Sequence, residues 1–440
     1  MSQLAANPIP FSEPPYLCGL PSPYYTPAHR RFQTACRQFM WDNLLSHALE
    51  YERAGEVPAW VYDTFCQHHM LLPNLGAPLP VDWLKRLGIH EILGVKVEDW
   101  DYLYSGIYFD ELSRSGLAGV GASLNAGFSF GIPPILNHAS PAFQERFLPD
   151  LLTGRKRCCI AITEPAAGSD VANITTTATK TADGQHYLLN GTKKWITNGI
   201  WSHYATMAVR TGGPGPAGLS VVLVPLQDHR GVSMRRLRVS GQRTGGTTYI
   251  ELDAVRVPVG NLIGREGDGM RMIMTNFNHE RVSIAVGVTR QARVALSSAF
   301  QYCLKREAFG KTLMDQPVVR HRLAQAGAEL ETLGAFVEQL LYQLCHLPKD
   351  EADRKLGGIS ALAKAKAGMV LNECAQCAVL LFGGAGFTQS GQGELAEAIL
   401  RDVPGARIPG GSEDVLLDLS VRQLVKLYRA EERKLKQSKI

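Results

Sequence analysis

The strongest constraint on the fold is a change of period about a third of the way along the chain. In residues 157–258 short β-rich runs, CCIAIT (158–163), YLLNGTKKWIT (187–197), LSVVLVPL (219–226) and TTYIELDAVRVP (247–258), are separated by turn signals such as Asp183-Gly184. Asn190-Gly191, set between alternating segments, predicts a hairpin turn at that point. On either side the apolar spacing is helical. It runs through Phe32, Cys36, Phe39, Met40, Leu44 and Ala48 before the β stretch. After it come Met274, Phe277, Ile284, Val288 and Ala292, then Ala295, Phe300 and Leu304. Prolines at 58, 73, 78 and 133 break the first helical region, and Pro317, Pro348 and the cluster Gly383-Gly384-Ala385-Gly386 break the second. The plan is an α+β chain. It comprises an irregular proline-rich arm (1–27), an N-terminal helical domain (28–155), a middle β domain (156–262), a C-terminal helical domain (263–430) and a basic tail (431–440).

Charge and cysteine usage narrow the class. The net charge of +5 comes from the last twenty residues, where Arg422, Lys426, Arg429, Arg433, Lys434, Lys436 and Lys439 face only Glu431 and Glu432. The body balances 39 basic against 39 acidic residues, which gives no electrostatic footprint for nucleic acid. No run of about 18 apolar residues is seen, so no membrane span is expected. Nine cysteines, an odd and scattered set, fit an intracellular protein with reduced thiols. Cys374 and Cys377 have the spacing of a metal or redox pair, but no second pair or histidine cluster accompanies them, so packing is expected and no metal. GLAGVG (116–121) lies in a helical region and gives no support to a nicotinamide site. The arm has no basic residue before His29 and Arg30 and does not look like a mitochondrial presequence.

Two motifs suggest a ligand. ITEPAAGSD (162–170) leaves a strand for a loop whose small residues let backbone N–H groups approach a bound group, with Thr163 and Ser169 as hydroxyl donors. KKWITNG (193–199) adds an indole, a hydroxyl and a tight turn; Trp195 either stacks on a planar cofactor or fills a core. Each alone is ambiguous. Together they resemble the acyl-CoA dehydrogenase family, whose chains carry a TEPxAGSD loop followed by an NGxKxWITN hairpin. The resemblance extends through NLIGREGDGM (261–270), NFNHERVSIAVG (276–287), KREAFGK (305–311), LLFGGAGF (380–387) and LRDV (400–403), over residues 28–425.

The resemblance implies an N-terminal helical domain, a middle β-barrel-like domain and a C-terminal four-helix bundle, with FAD between the β domain and the C-terminal helices. Ile160, Ile162, Thr163, Gly168 and Ser169 would then line the flavin and pyrophosphate, and Trp195, Ile196 and Thr197 would cover the isoalloxazine ring. Arg306, Phe309 and Gln316, with Gly383 and Gly384, would reach the FAD of a neighbouring subunit, which implies a homotetramer or homodimer. Two positions depart from the pattern. Leu380 stands where the family usually has Gln, with Gln376 one turn earlier as a replacement, and Ser412 stands for Thr at a cofactor position, keeping a hydroxyl.

The implied reaction is α,β-dehydrogenation of an acyl-CoA or related acyl thioester. It needs a polarised thioester carbonyl and a carboxylate against the α carbon while the β hydrogen leaves as hydride to the flavin N5. Many members carry that base as Glu in an Ile-Tyr-Glu-Gly-Thr loop, which aligns here with Ile408-Pro409-Gly410-Gly411-Ser412. Gly410 has no carboxylate, yet its amide keeps the loop's role as donor to the thioester oxygen. The isovaleryl- and long-chain-type branch places the base in a helical Glu-Arg, and Glu280-Arg281 occupies that position here. Glu280 has Asn276, Phe277, Ser283 and Ile284 three and four residues away, apolar and neutral neighbours that suit a base with a raised pKa. Glu413 and Asp414 are the competing acids. Ser169, Asn278, Arg281 and Gly410 are the expected substrate contacts. The electron acceptor is expected to be electron-transfer flavoprotein or O2. Competing readings are a flavin desaturase or oxidase of a specialised acyl thioester, and a catalytically silent flavoprotein of the same fold. Ser438-Lys439-Ile440 resembles the Ser-Lys-Leu address and points to a peroxisome, with cytoplasm or mitochondrion as the alternatives.

Overall fold

The computed structural model describes residues 7–437, apart from the side chains of residues 276–278. In chain order the first helices are α1 (Pro27–Asn43), α2 (Ala48–Ala54), α3 (Ala59–Gln67) and α4 (Val81–Arg86). A small hairpin, β1 (Glu91–Ile92) and β2 (Val95–Lys96), leads to α5 (Tyr102–Leu112), α6 (Ala118–Ala126), α7 (Pro133–His138) and α8 (Pro141–Leu152). The main sheet uses β3 (Cys158–Ala161), β4 (Thr177–Lys180), β5 (His186–Ile196), β6 (Tyr204–Arg210), β7 (Leu219–Pro225), β8 (Val232–Arg236), β9 (Thr248–Pro258) and β10 (Leu262–Ile263). Then come α9 (Gly269–Lys305), the hairpin β11 (Glu307–Ala308) and β12 (Lys311–Thr312), α10 (Pro317–His346), α11 (Lys349–Phe382), α12 (Glu394–Arg407) and α13 (Glu413–Gln437). The last helix carries the segment expected as a basic tail at least to Gln437.

These elements form two compact units. A helical unit comprises residues 1–45, 101–118 and 278–440, and a β unit comprises 46–100 and 119–277. The expected N-terminal helical domain is therefore shared, with α1 and α5 in the helical unit and α2–α4, α7 and α8 in the β unit.

The β unit is built on a sheet of order β10-β7-β6-β4-β5-β9-β8, with β3 parallel to β6. Its core holds Cys159, Tyr187, Leu189, Ile196, Met207, Val222, Val224, Ile250, Leu252, Val255 and Val257. Burial alternates along β9, as a strand with one face on a core requires, whereas the continuous apolar run of β7 is covered on both faces. The hairpin expected at Asn190-Gly191 is absent: β5 passes through both residues against β9, with a register shift between Leu189 and Gly191. Gly191 is required because a Cβ there would sit 2.7 Å from Thr176 Cα, and Asn190 Oδ1 accepts the Ala254 N–H at 2.9 Å. The chain reverses instead at Asp183-Gly184, between β4 and β5. In the GLAGVG stretch a Cβ on Gly119 would lie 2.5 Å from Thr244 Oγ1, so that glycine serves close packing.

In the helical unit α11 is central, touching α10, α12 and α13. Its buried Ala361, Ala365, Ala367, Leu371, Ala375 and Ala378 let the neighbouring helices approach closely. Contrary to the sequence expectation, the segment Lys349–Phe387 is long and apolar enough to cross a membrane by composition, with mean hydropathy 1.3 over 18 residues. Half of that window is buried inside the protein, which marks a core helix. Cys374 and Cys377 are buried on it as free thiols, and burial pushes both up, away from reactivity. The proline-rich arm is irregular but fixed. Phe11 packs edge-on to Phe300, and Glu13 is buried among Arg37 (3.3 Å), Arg114 (2.8 Å) and Arg290 (3.5 Å). Burial pushes the Glu13 carboxyl up, but Arg114, Arg290 and Arg37 together bring it below the usual range.

Candidate active site

In the β unit the two ligand-like loops are joined by a buried ion pair that sequence reading missed. Lys193 Nζ donates to Glu164 Oε1 at 2.8 Å and to the Ile162 carbonyl at 3.0 Å. The same carboxylate accepts from Thr175 N (2.6 Å), Thr175 Oγ1 (2.8 Å) and Thr176 N (2.9 Å). Burial pushes the Glu164 carboxyl up, yet Lys193 and these hydrogen bonds overcome it and hold the group at about 2. Glu164 and Ala167 exchange backbone hydrogen bonds of 3.1 and 3.2 Å, closing a tight turn that leaves Gly168 and Ser169 exposed beyond it. The Lys194 N–H donates to the Thr163 carbonyl at 2.9 Å, which ties the start of the loop to the strand.

Trp195 lies at the end of β5 with φ +60 and 49% of its surface exposed, whereas the next side chain, Ile196, is in the core. Only the backbone of Ile196 is thus available to a ligand. Ile162 is likewise buried, while Ile160, Thr163 and Thr197 are half-buried. Asn198, with φ +61, donates to Ala122 O (3.0 Å) and Gly245 O (3.1 Å) and anchors the turn after Thr197.

The helical unit carries the acid and the glycine loop. Glu280 is 4% exposed on α9, and Arg281 beside it is equally buried. Burial pulls the Arg281 guanidinium down against the attraction of Glu280. One turn on, Ile284 reaches the loop of residues 408–412: a Cβ on Gly410 would lie 2.8 Å from Ile284 Cδ1. Gly410 and Gly411 have φ of +69 and +99, conformations that side chains rarely adopt. A glutamate at 410 would therefore be both strained and crowded. The competing acid Glu413 is engaged by Arg407, through Nε at 2.7 Å and through Nη2, and Arg407 holds its carboxyl down. Asp414 is exposed. The side chain of Asn278, the remaining expected substrate contact, lies outside the described residues. Ser412 immediately precedes α13, and its carbonyl accepts the Leu416 N–H at 2.9 Å.

On the same unit Arg306 is exposed and Phe309 is 95% exposed, with φ +57. Side chains added at Gly383 or Gly384 would meet nothing within 4 Å, and Leu380 is 63% exposed on the preceding turn. Gln316 Nε2 is buried without a hydrogen-bond partner.

Comparison with known proteins agrees with this anatomy. Models of the acyl-CoA dehydrogenase N-terminal, middle and C-terminal domains match residues 26–155, 159–255 and 267–425. Acyl-CoA dehydrogenase apdG of Emericella nidulans is 76% identical over 432 residues, 98% of this chain and 99% of its own. The chain belongs to the acyl-CoA dehydrogenase family. A further member, acyl-CoA dehydrogenase AFT10-1 of Alternaria alternata, is 34% identical over 96% of this chain and 97% of its own. The crystal structure of a putative acyl-CoA dehydrogenase from Mycobacterium smegmatis matches with a TM-score of 0.80 at 29% identity, covering 92% of this chain and 99% of that one. The protein is thus an oxidoreductase of a family whose chemistry is flavin-dependent dehydrogenation, with that family's three-part fold.

The residues present fit a flavin nucleotide. In the β unit the Trp195 indole is exposed, and in the helical unit Gln316 Nε2 is buried without a hydrogen-bond partner; a planar ligand with polar atoms suits both.

Proposed function

We propose that the protein is an FAD-dependent dehydrogenase that introduces an α,β double bond into an acyl-CoA or related acyl thioester. The observation that carries this is the buried Glu280, set one turn from an isoleucine that packs on Gly410. The reading assigns Glu280 to removal of the α proton and the Gly410 N–H to the thioester oxygen, where it stabilises the developing negative charge. Arg281 keeps a positive charge beside the base, and Ser169 and Asn278 contact the substrate. In the β unit, backbone groups of residues 160–169 and the Trp195–Thr197 segment would hold FAD; when bound, it supplies the hydride acceptor. Arg306, Phe309, Gln316, Gly383, Gly384 and Ser412 are assigned to cofactor contacts, all but Ser412 of them to a neighbouring subunit of a homotetramer or homodimer. Their exposure or openness supports that assignment for Arg306, Phe309, Gly383 and Gly384. A silent flavoprotein is the competing reading, and the reduction of the flavin by an acyl thioester separates the two.

Glu280→Gln is expected to retain yellow flavin while its reduction by butyryl-, 2-methylbutyryl- or octanoyl-CoA under anaerobic conditions slows by about 10²–10⁴-fold. Rapid bleaching of that variant would remove Glu280 from the mechanism. Admitting air to the reduced wild type separates O2 from electron-transfer flavoprotein as acceptor. An O2 acceptor would go with the peroxisomal address proposed for Ser438-Lys439-Ile440, which lies outside the described residues.

A further inference from the structure

The two glycines that shape the active-site loop are also its weakest point. Gly410 and Gly411 are the residues with the most backbone freedom to lose, yet an N–H aimed at a thioester oxygen must be held within a fraction of an ångström. Nothing within the loop supplies that rigidity. It comes from α11, where Lys364 is 1% exposed and extends its ammonium under the loop. Nζ donates to Gly411 O at 2.7 Å and to Arg407 O at 3.1 Å, and a Cβ on Gly410 would be 3.9 Å from its Cε. The two acceptors bracket Gly410. The Arg407–Glu413 pair closes the same loop at its neck, and Ile284 packs against it from the helix that bears Glu280.

We propose that Lys364 is a positioning residue of the thioester site, whose ammonium fastens the carbonyls on either side of Gly410 and so fixes the direction of the Gly410 N–H. The inference rests on the reading of Gly410 as the thioester-oxygen donor. The charges acting on Lys364 come from three elements. Arg281 on α9 repels it, Glu413 at the start of α13 attracts it, and Arg407 at the end of α12 gives it a carbonyl while occupying Glu413. Burial first, then Arg281, brings the ammonium down to about 8 despite Glu413. Above that pH the bonds to the two carbonyls lose their charge assistance, which roughly halves their strength.

The test is the pH profile of flavin reduction, measured anaerobically with whichever of butyryl-, 2-methylbutyryl- and octanoyl-CoA bleaches the wild type fastest. Wild type is expected to slow about three- to tenfold between pH 8 and 10, with substrate affinity little changed. Lys364→Arg, which keeps its charge, is expected to lose that limb. Lys364→Met is expected to be about 10- to 100-fold slower at pH 7, since a small misplacement of a catalytic donor costs that much. A wild-type profile flat to pH 10, or the same limb in Lys364→Arg, overturns the inference. So does a Lys364→Met enzyme with normal reduction rate but lowered thermal stability. Should Lys364→Arg not fold, the wild-type limb and the rate of Lys364→Met still decide. If no thioester bleaches the wild type, the underlying dehydrogenase reading falls, and the inference with it.

Discussion

Both units bury a lysine beneath a loop assigned to the chemistry, and they treat its charge differently. In the β unit Lys193 faces a carboxylate that belongs to the loop it secures, 2.8 Å away, so cation and anion are buried together. In the helical unit Lys364 bonds only to carbonyl oxygens, and the acid that attracts it is already paired with Arg407. Burial brings both ammoniums down to about 8, Lys193 despite the attraction of Glu164 and Lys364 with the added repulsion of Arg281. What differs is the partner: the first clamp sets a carboxylate held at about 2, an anion throughout the neutral range, against the lysine, whereas the second offers carbonyl oxygens. One residue type thus fastens the loop assigned to the cofactor through a charge pair and the loop assigned to the thioester through neutral acceptors.

The contrast can be broken most directly at Lys193. Lys193→Met leaves Glu164 buried beside no cation and is expected to cost about 3–5 kcal/mol, seen as a lower denaturant midpoint with loss of bound flavin. Pairing it with Glu164→Leu should recover much of the loss. A single variant as stable as wild type would show that the pair is not what joins the loops. Acid offers the same break without mutation. The folded carboxyl of Glu164 lies below its unfolded value of about 4.3, so its contribution is complete above that pH and fades as pH falls towards 2. Glu164→Gln should flatten that part of the stability curve.

Lys364→Met is expected to cost less, about 1–3 kcal/mol, because two carbonyls lose a donor while a buried charge is removed. The sign of its pH linkage is opposite to that of Glu164. The folded pKa of about 8 lies below the unfolded value of about 10.4, so the penalty for the buried charge is present below pH 8 and relieved above it. Lys364 therefore gives no loss of stability between pH 8 and 10, the range in which reduction is expected to slow. A melting temperature that drops in parallel with the rate would contradict the assignment. The smallest effect belongs to Gly410→Ala, about 1–2 kcal/mol from φ +69 and the contact with Ile284 Cδ1. Ile284→Val removes the touching methyl and should offset roughly 0.5 kcal/mol of it in a double-mutant cycle.

What was legible in the sequence follows from what short-range patterns encode. Period changes placed the β unit between helices, and the paired motifs led to the family before any geometry. The glycine in the loop, together with the glutamate on the helix, located the proposed base. The misread hairpin at Asn190-Gly191 shows the limit: the dipeptide permits a turn, but β9 alongside β5 turns the same freedom into a bulge. Lys193 lies inside the quoted motif and was passed over because its partner Glu164 is 29 residues away. Lys364 has no signature at all, since its partners are carbonyls 43 and 47 residues along, and a carbonyl is the same in every residue. The composition of α11 is ambiguous for a different reason: long helices at the centre of a bundle and helices in lipid are written in similar letters, and burial separates them.

The arm has a consequence in time. Arg37 and Arg114 follow Glu13 soon in synthesis, but Arg290 is 277 positions later. At about 5–20 residues per second that interval is on the order of tens of seconds, during which the acid's final site does not exist. The arm can lock into place only after α9 and the helices that follow it have begun to assemble. A seated arm therefore certifies that α9 has already been synthesised and packed.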